Sequence, residues 1–286
     1  MQYWAIQTLN SLALGGLLFL LAAGFSLIFG LMRIANLTHG ALFMLGAYLG
    51  VSVMRHIPNL WLAALAAGLA VALFGGLLER FILRKIGGNV LGQVLVTLGV
   101  AFIIADACLM AWGGDPIPIQ TPEMLQAPVR IAGFVFPAYR LAVVVIAVVV
   151  AIALYLLMDR TRLGAMIRAG VDDPQMASGV GIPVSRLFTT VFCLGAALAG
   201  AGGVIGGPIM SAYPGLDADM LPLALIVVIL GGVGSLLGAF VGVFVTGFVY
   251  TFGVALLPDL AYVILFLPMI LVIAFRPRGL FGKFAA

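Results

Sequence analysis

DRTRLGAMIRAGVDDPQMASGVGIPVSR, residues 159–186, is the one long polar segment of the chain, and long apolar runs flank it on both sides. It sets Arg160, Arg162, Arg168 and Arg186 against Asp159, Asp172 and Asp173. Asp173 stands where its oxygen can cap a short helix starting at Pro174, because proline fits the first helical position and carboxylates accept from free N-terminal N–H groups. Gly179 and Gly181 end that helix, and Pro183 blocks its extension. Upstream, Leu163, Met166 and Ile167 share one helical face, with Arg162 and Arg168 elsewhere on the wheel. The segment is therefore expected to form two short helices on a membrane surface, where something outside the membrane can grip them.

Outward from this segment the chain is apolar. Of its 286 residues, 64% are hydrophobic and 8% charged, against about 25% charged in a soluble domain. Apolar runs of roughly 20 residues recur, each long enough to cross a bilayer about 30 Å thick. The fold class is an all-α polytopic membrane protein with eight to ten transmembrane helices and short cytoplasmic helices, all in one transmembrane domain over 1–286. The runs are continuous, not alternating, which excludes a transmembrane β-barrel. The net charge of +4 reflects basic cytoplasmic loops and is no sign of a nucleic-acid partner. The first run reads as a span and not as a cleavable leader. Cys108 and Cys193 fall inside spans as free core thiols.

Spans are expected at about 9–31, 39–54, 60–83, 90–111, 138–158, 187–208, 219–233, 236–256 and 259–275. The division of 219–256 into one or two spans stays open. With 159–186 in the cytoplasm, alternation puts Arg33, Arg80, Arg84, Lys85, Arg160, Arg162, Arg168, Arg186, Arg276, Arg278 and Lys283 inside, and Arg55, Arg130 and Arg140 outside. This positive-inside bias implies an outside N-terminus and an inside C-terminus.

Within the apolar background a few polar positions stand out. RIANLTHG, residues 33–40, interrupts the signal between the first two spans and carries Asn36, Thr38, His39 and Gly40. Two readings fit it: a cytoplasmic turn, or a break in a membrane helix that exposes polar groups to a path, tolerated at membrane depth only where protein or water satisfies the backbone. His39 has no companion His, Cys or carboxylate at ligand spacing, so no metal site is expected. Asp106, in AFIIADACLMAW, is either a helix-paired or interfacial acid or a group lining the path near its outer mouth. Residues 113–137 form the longest external loop; Pro116, Pro118, Pro122, Pro128 and Pro137 make it an ordered, non-helical cover or docking surface, or a connection alone.

Small residues recur one turn apart at Gly195, Ala199, Gly203 and Gly207, again at Gly234, Gly238 and Gly242, and more briefly at Gly46 and Gly50. Such stripes let another helix backbone approach closely and read as helix packing. GGVGS, residues 231–235, breaks a helix and could line a turn or a path. No phosphate loop of the GxxxxGK[ST] type, no GxSxG and no HExxH occurs, so the chain is expected to carry no ATPase or hydrolase chemistry of those kinds.

Four stretches, GFSLIFGLMRIANLTHGALFMLGAY (24–48), VTLGVAFII (96–104), RTRLGAMIRAGVDDPQMASGVGI (160–182) and LGGVGSLLGAFVG (230–242), together resemble the permease subunits of bacterial branched-chain amino acid ABC importers. They are spread over most of the chain. The resemblance implies a transport subunit of the bacterial inner membrane, without its own ATPase, carrying branched-chain amino acids or similar small amino-acid-like solutes. It implies a second homologous permease chain, two cytoplasmic ATPase subunits holding ATP and Mg, and a periplasmic binding protein as partners, with no cofactor on this chain. It assigns ATPase coupling to Gly164, Arg168, Ala169, Asp173, Pro174, Ala177, Gly181 and Ile182. Small and neutral polar groups near Asn36, His39, Gly40 and Thr97 are expected to line the path, with Asp106 towards its mouth. The competing classes are an ion-coupled secondary transporter, for which Asp106 is the only plainly intramembrane acid, and a channel or membrane scaffold.

Overall fold

The computed structural model describes residues 2–32, 36–131, 134–277 and 279–282. Eleven α-helices occur among them: α1 (Gln2–Met32), α2 (Thr38–His56), α3 (Leu60–Phe81), α4 (Val90–Trp112), α5 (Ala138–Arg160), α6 (Arg162–Asp172), α7 (Pro174–Gly179), α8 (Val184–Met210), α9 (Leu216–Gly231), α10 (Leu236–Leu256) and α11 (Ala261–Phe275). All except α6 and α7 fall on the nine expected spans. Six of them, α1, α3, α4, α5, α8 and α10, are long and apolar enough to cross a membrane; α9 and α11, of 16 and 15 residues, are shorter. The chain is an all-α polytopic membrane protein.

Local chemistry sets several helix starts. The side chain of Asn59 accepts from the N–H groups of Trp61 and Leu62 to cap α3, that of Asn89 from Gly92 to cap α4, and that of Ser235 from Gly238 to cap α10. Helix α1 starts seven residues earlier than the apolar run suggests. Its polar first turns are satisfied within the helix: Ser11 donates to the Gln7 carbonyl and Asn10 to the Gln7 side chain. The turn at 232–235 carries Gly232 and Gly234 at φ +100° and +76°, a conformation that costs glycine little. It folds α10 back against α9, with Gly242 approaching the Val227 carbonyl. Residues 219–256 therefore hold two antiparallel helices. Gly234 belongs to this turn, packed on Gly30, and not to a helical stripe; only Gly238 and Gly242 continue the stripe in α10.

Helix α8 runs through the centre. Gly195 packs against the backbone of Gly24 in α1, Gly203 meets the Phe43 carbonyl in α2, and Gly207 meets Ile119 in the external loop. Ala199 is fully buried between them. A Cβ on Gly46 would collide with the backbone of Gly200. In lipid, where apolar burial between helices is no driving force, such close backbone packing is what holds a bundle.

Contacts sort the connections into two ends. At one end Gly30 touches Gly234, Arg84 bonds the Ser185 carbonyl, and the N–H of Leu280 bonds the Leu230 carbonyl. Arg80, Arg84, Lys85, Arg160, Arg162, Arg168, Arg186 and Arg276 fall there. At the other end Ile117 bridges Ala212 and Arg140 bonds Asn10, and Arg55, Arg130 and Arg140 lie there. By the positive-inside rule the first end is the one expected to face the cytoplasm. Arg33, Arg278 and Lys283 lie outside the described residues. The external loop is ordered: a 3-10 turn (Glu123–Leu125) precedes a short antiparallel hairpin of β1 (Pro128–Ile131) and β2 (Phe134–Pro137).

Candidate functional site

Residues 36–40 of the polar break form the start of a helix packed well inside the bundle. Helix α2 does not begin at the cytoplasmic end of α1. The Nε2 of His39 lies 2.9 Å from the carbonyl oxygen of Leu21, and Leu21 is eleven residues, or about 16 Å, from the end of α1 at Met32. The N–H of Leu37 donates to the Thr97 hydroxyl at 3.2 Å, seven residues, or about 10 Å, inside α4. Further out, the Trp112 indole donates to the Ser52 hydroxyl at 2.8 Å. The offset of 60 residues is the same at both contacts, so α2 runs parallel to α4. Residues 36–40 are a helix start held against the middle reach of α1 and not a connection at its end; residues 33–35 lie outside the described residues.

Asn36, Thr38, His39 and Thr97 are all at 0% exposure. The Asn36 side-chain oxygen accepts from the N–H of Thr38 at 3.1 Å and from its hydroxyl, so it caps α2. The Thr97 hydroxyl passes its own proton to the Val94 carbonyl at 3.0 Å. Gly40 lets α9 cross the start of α2: a Cβ there would stand 2.6 Å from the Asp217 carbonyl. The Phe25 ring lies against His39, with centroids 5.3 Å apart. Five buried side-chain atoms find no hydrogen-bond partner among the described residues, on Ser26, Asn36, His39, Tyr48 and Thr246, and two of them belong to this group: the Asn36 Nδ2 donor and the His39 Nδ1. With Nε2 donating to a carbonyl, His39 Nδ1 is the acceptor of the neutral ring. A donor and an acceptor thus stand unused beside a helix start, which carries partial positive charge. Because every one of these groups is fully buried, the structure is closed at this level.

Asp106 is not part of this arrangement. It lies nine residues beyond Thr97, half a helical repeat round α4, on the exposed face with Phe102, Ile103 and Met110. The structure brings Asn36, His39, Gly40 and Thr97 together and leaves Asp106 on the outer surface of the fold. The participation of the α9 start, through Asp217 and Leu221, was missed by sequence reading; the acids in GLDADM (215–220) were the available signal.

The second polar element is the segment 159–186. The Thr161 hydroxyl caps α6 by accepting from Gly164 N–H. The Asp173 carboxylate caps α7, which begins at Pro174, by accepting from Gln175 and Met176 N–H at 3.0 and 2.9 Å. The N–H of Ile182 returns to the Ala177 carbonyl and that of Gly181 to the Ser178 carbonyl, with Gly181 at φ +88°. No atom lies within 4 Å of a Cβ at Gly181, so it is the left-handed turn and not a close approach that calls for glycine. Gly164 passes tightly over the Met158 carbonyl. The buried side of α6–α7 is Gly164, Ile167, Gly170 and Ala177, with Ala169 and Ile182 half-buried. Arg168 is used within the chain: Nη1 donates to the Met158 carbonyl and lies 3.4 Å from Asp159 Oδ1. It ties α6 to the end of α5. The outward side carries Met176 and Val180, 66% and 70% exposed.

The chain's sequence matches, over residues 7–273, the family described as branched-chain amino acid transport system / permease component. It is 29% identical over 292 residues to the "High-affinity branched-chain amino acid transport system permease protein BraD" of Pseudomonas aeruginosa, covering 97% of this chain and 95% of that protein. It is 25% identical over 306 residues to "High-affinity branched-chain amino acid transport system permease protein LivH" of Escherichia coli K12, covering 98% and 96%. A match of 25% over 241 residues covers 81% of this chain and 75% of the "Probable branched-chain amino acid transport permease protein LivH" of Methanocaldococcus jannaschii. No solved structure matches the chain.

Proposed function

The chain belongs to the family of permease components of branched-chain amino acid transport systems and is a multi-pass protein of the inner membrane, and on that premise we propose that it forms half of the membrane pathway of an ATP-driven importer for branched-chain amino acids or closely similar zwitterions. The observation that carries the reading is the start of α2. A zwitterion needs a donor for its carboxylate and an acceptor for its ammonium. Asn36 Nδ2 and the helix N-terminus offer the first, and His39 Nδ1 offers the second. Broken helices whose ends face a midplane path are a general device for moving charged solutes through lipid. Since these groups are sealed off, transport requires a conformational change that opens them first to one side and then to the other.

The energy source is proposed to lie in two cytoplasmic ATPase subunits that hold ATP and Mg. They grip α6 and α7 through Met176, Val180 and the outward edge of the segment, while Gly164, Arg168, Ala169, Asp173, Pro174, Ala177, Gly181 and Ile182 fix its shape. A second, homologous permease chain completes the pathway, and a periplasmic binding protein delivers the solute to the ordered external loop. The test is affinity purification of the tagged chain from its native membrane with identification of what accompanies it. Two ATPase chains and a second permease are expected. Purification of the chain alone, with solute uptake driven by an ion gradient, contradicts the reading.

A further inference from the structure

Glu79 is a carboxylate at 1% exposure, near the cytoplasmic end of α3. Burying a charge in such a place is costly unless it is paired and fully bonded, and here it is. Arg84 Nη2 donates to Glu79 Oε2 at 2.8 Å and Nε to Oε1 at 3.2 Å. The same Nη2 reaches the Ser185 carbonyl at 2.9 Å and the Thr189 hydroxyl at 2.5 Å, and that hydroxyl donates to Glu79 Oε2 at 2.8 Å. Ile28, Leu78, Leu83 and Phe192 form a buried apolar cluster at the same level. On the membrane side of this knot, α3 and α8 are closely packed, with Gly75 on Ala196 and Gly76 on Cys193. Beside the knot lies a cavity of about 350 Å³, in whose wall Glu79, Arg84 and Ser185 themselves stand together with Gln93, Val184 and Phe188. The knot thus ties the end of α3, through Arg84, to the first turns of α8.

Its position along the chain matters as much. Ser185 is the second residue of α8, six residues after α7 ends at Gly179. Displacement of α6–α7 is therefore passed to the first turn of α8, where Gly170 of α6 also lies against Val184 and Leu187. At its far end α8 crosses α2 through Gly200 on Gly46 and Gly203 on the Phe43 carbonyl, one to two turns from His39.

We propose that Glu79, Arg84 and Thr189 are positioning residues, a clamp that makes α3 and the start of α8 move as one body, so that displacement of the cytoplasmic segment is delivered to the start of α2. The proposal rests on the ATP-driven reading above. Without the clamp, α8 would yield locally at its first turn, and ATP would be hydrolysed with less solute moved.

The test uses the full chain in lipid nanodiscs and, with its ATPase and permease partners, in proteoliposomes. Thr189→Val and Arg84→Lys each remove part of the knot while sparing Glu79 a wholly unpaired state. Each is expected to speed hydrogen exchange at the amides of 185–189 by about tenfold, as a local opening would. Each is also expected to lower solute moved per ATP hydrolysed by roughly threefold, and Thr189→Ser to restore both readouts, because coupling among bonded neighbours is lost only when the bond is lost. Unchanged exchange in both variants overturns the clamp. Faster exchange with an unchanged ratio of uptake to hydrolysis overturns its transmitting role. If the wild-type chain engages no ATPase, the ATP-driven reading fails, and exchange in the isolated chain alone upholds or overturns the clamp.

Discussion

The Nε2 of His39 sits 2.9 Å from the carbonyl oxygen of Leu21, so the second residue of α2 is held against the middle reach of α1 and not at its end. A helix start with unused polar atoms is thereby placed where lipid would surround it if protein did not. Asn36 has two separable duties there, since its oxygen caps α2 and its Nδ2 has no partner among the described residues. Replacing Asn36 by Leu is expected to abolish both and to cost about 1 kcal/mol of stability through the lost cap. Asn36→Ser keeps an oxygen for the cap and removes the amide donor. Both variants are expected to transport poorly with ATPase assembly intact, and only the first to melt earlier; uptake assays paired with thermal unfolding in detergent check this.

The α2–α8 crossing is expected to be intolerant of size. A Cβ on Gly46 has no room against Gly200, whereas nothing lies within 4 Å of a Cβ on Gly99. Gly46→Val is expected to destabilise by about 3 kcal/mol, at the upper end of overpacking costs, and Gly99→Ala to change stability by less than about 1 kcal/mol. Midpoints of thermal unfolding, compared at equal expression, decide between them.

The cytoplasmic segment gives a third prediction. Arg168→Glu would set a carboxylate against the Met158 carbonyl and the Asp159 carboxylate that the guanidinium now joins. Because that pair is exposed, the cost to overall stability is expected to be below about 1 kcal/mol, while the displaced α6 should lower retention of the ATPase subunits by about tenfold or more. Gly181→Val, forced into a left-handed turn at φ +88°, is expected to add about 1–2 kcal/mol of local strain and to weaken the same association. Gln175, exposed on α7, is the control. Pull-down from detergent, quantified against wild type, reads the effect.

Topology is open to direct labelling. Ser178 and Gln120 are both exposed, in α7 and in the external loop. A cysteine placed at Ser178 is expected to react with an impermeant maleimide only from the cytoplasm, and one at Gln120 only from outside. Labelling of both from one side would contradict the arrangement of the two ends.

What could be read from the sequence and what could not follow from how local each feature is. The cap on α7, the turn at Gly181 and the nine apolar helices depend on neighbours a few residues away, so Asp173 and the glycines were informative as text, whereas the Thr161 cap on α6 was passed over. The break at 36–40 was visible as an interruption, but its depth was not. That depth is set by Leu21 and Thr97, 18 and 60 residues from their partners. Asp106 shows the limit of an apolar background. Nearly every residue of α4 is hydrophobic, so no stripe marked its buried face, and only the packed structure shows Thr97 inward and Asp106 outward. The role of Glu79 was hidden among terminal charges, because its partner Thr189 is 110 residues away.

On the ATP-driven reading, Asn36 and His39 at the start of α2 hold the solute as it crosses. The most direct measurement is uptake of radiolabelled leucine into proteoliposomes containing the purified complex, its binding protein and internal or external ATP, for wild type, Asn36→Ser and His39→Leu. Accumulation above the outside concentration that requires ATP on the α6–α7 side, and falls at least about tenfold in both variants while the ATPase subunits remain bound, is the predicted result. Accumulation without ATP, or wild-type uptake in both variants at equal expression, would contradict it.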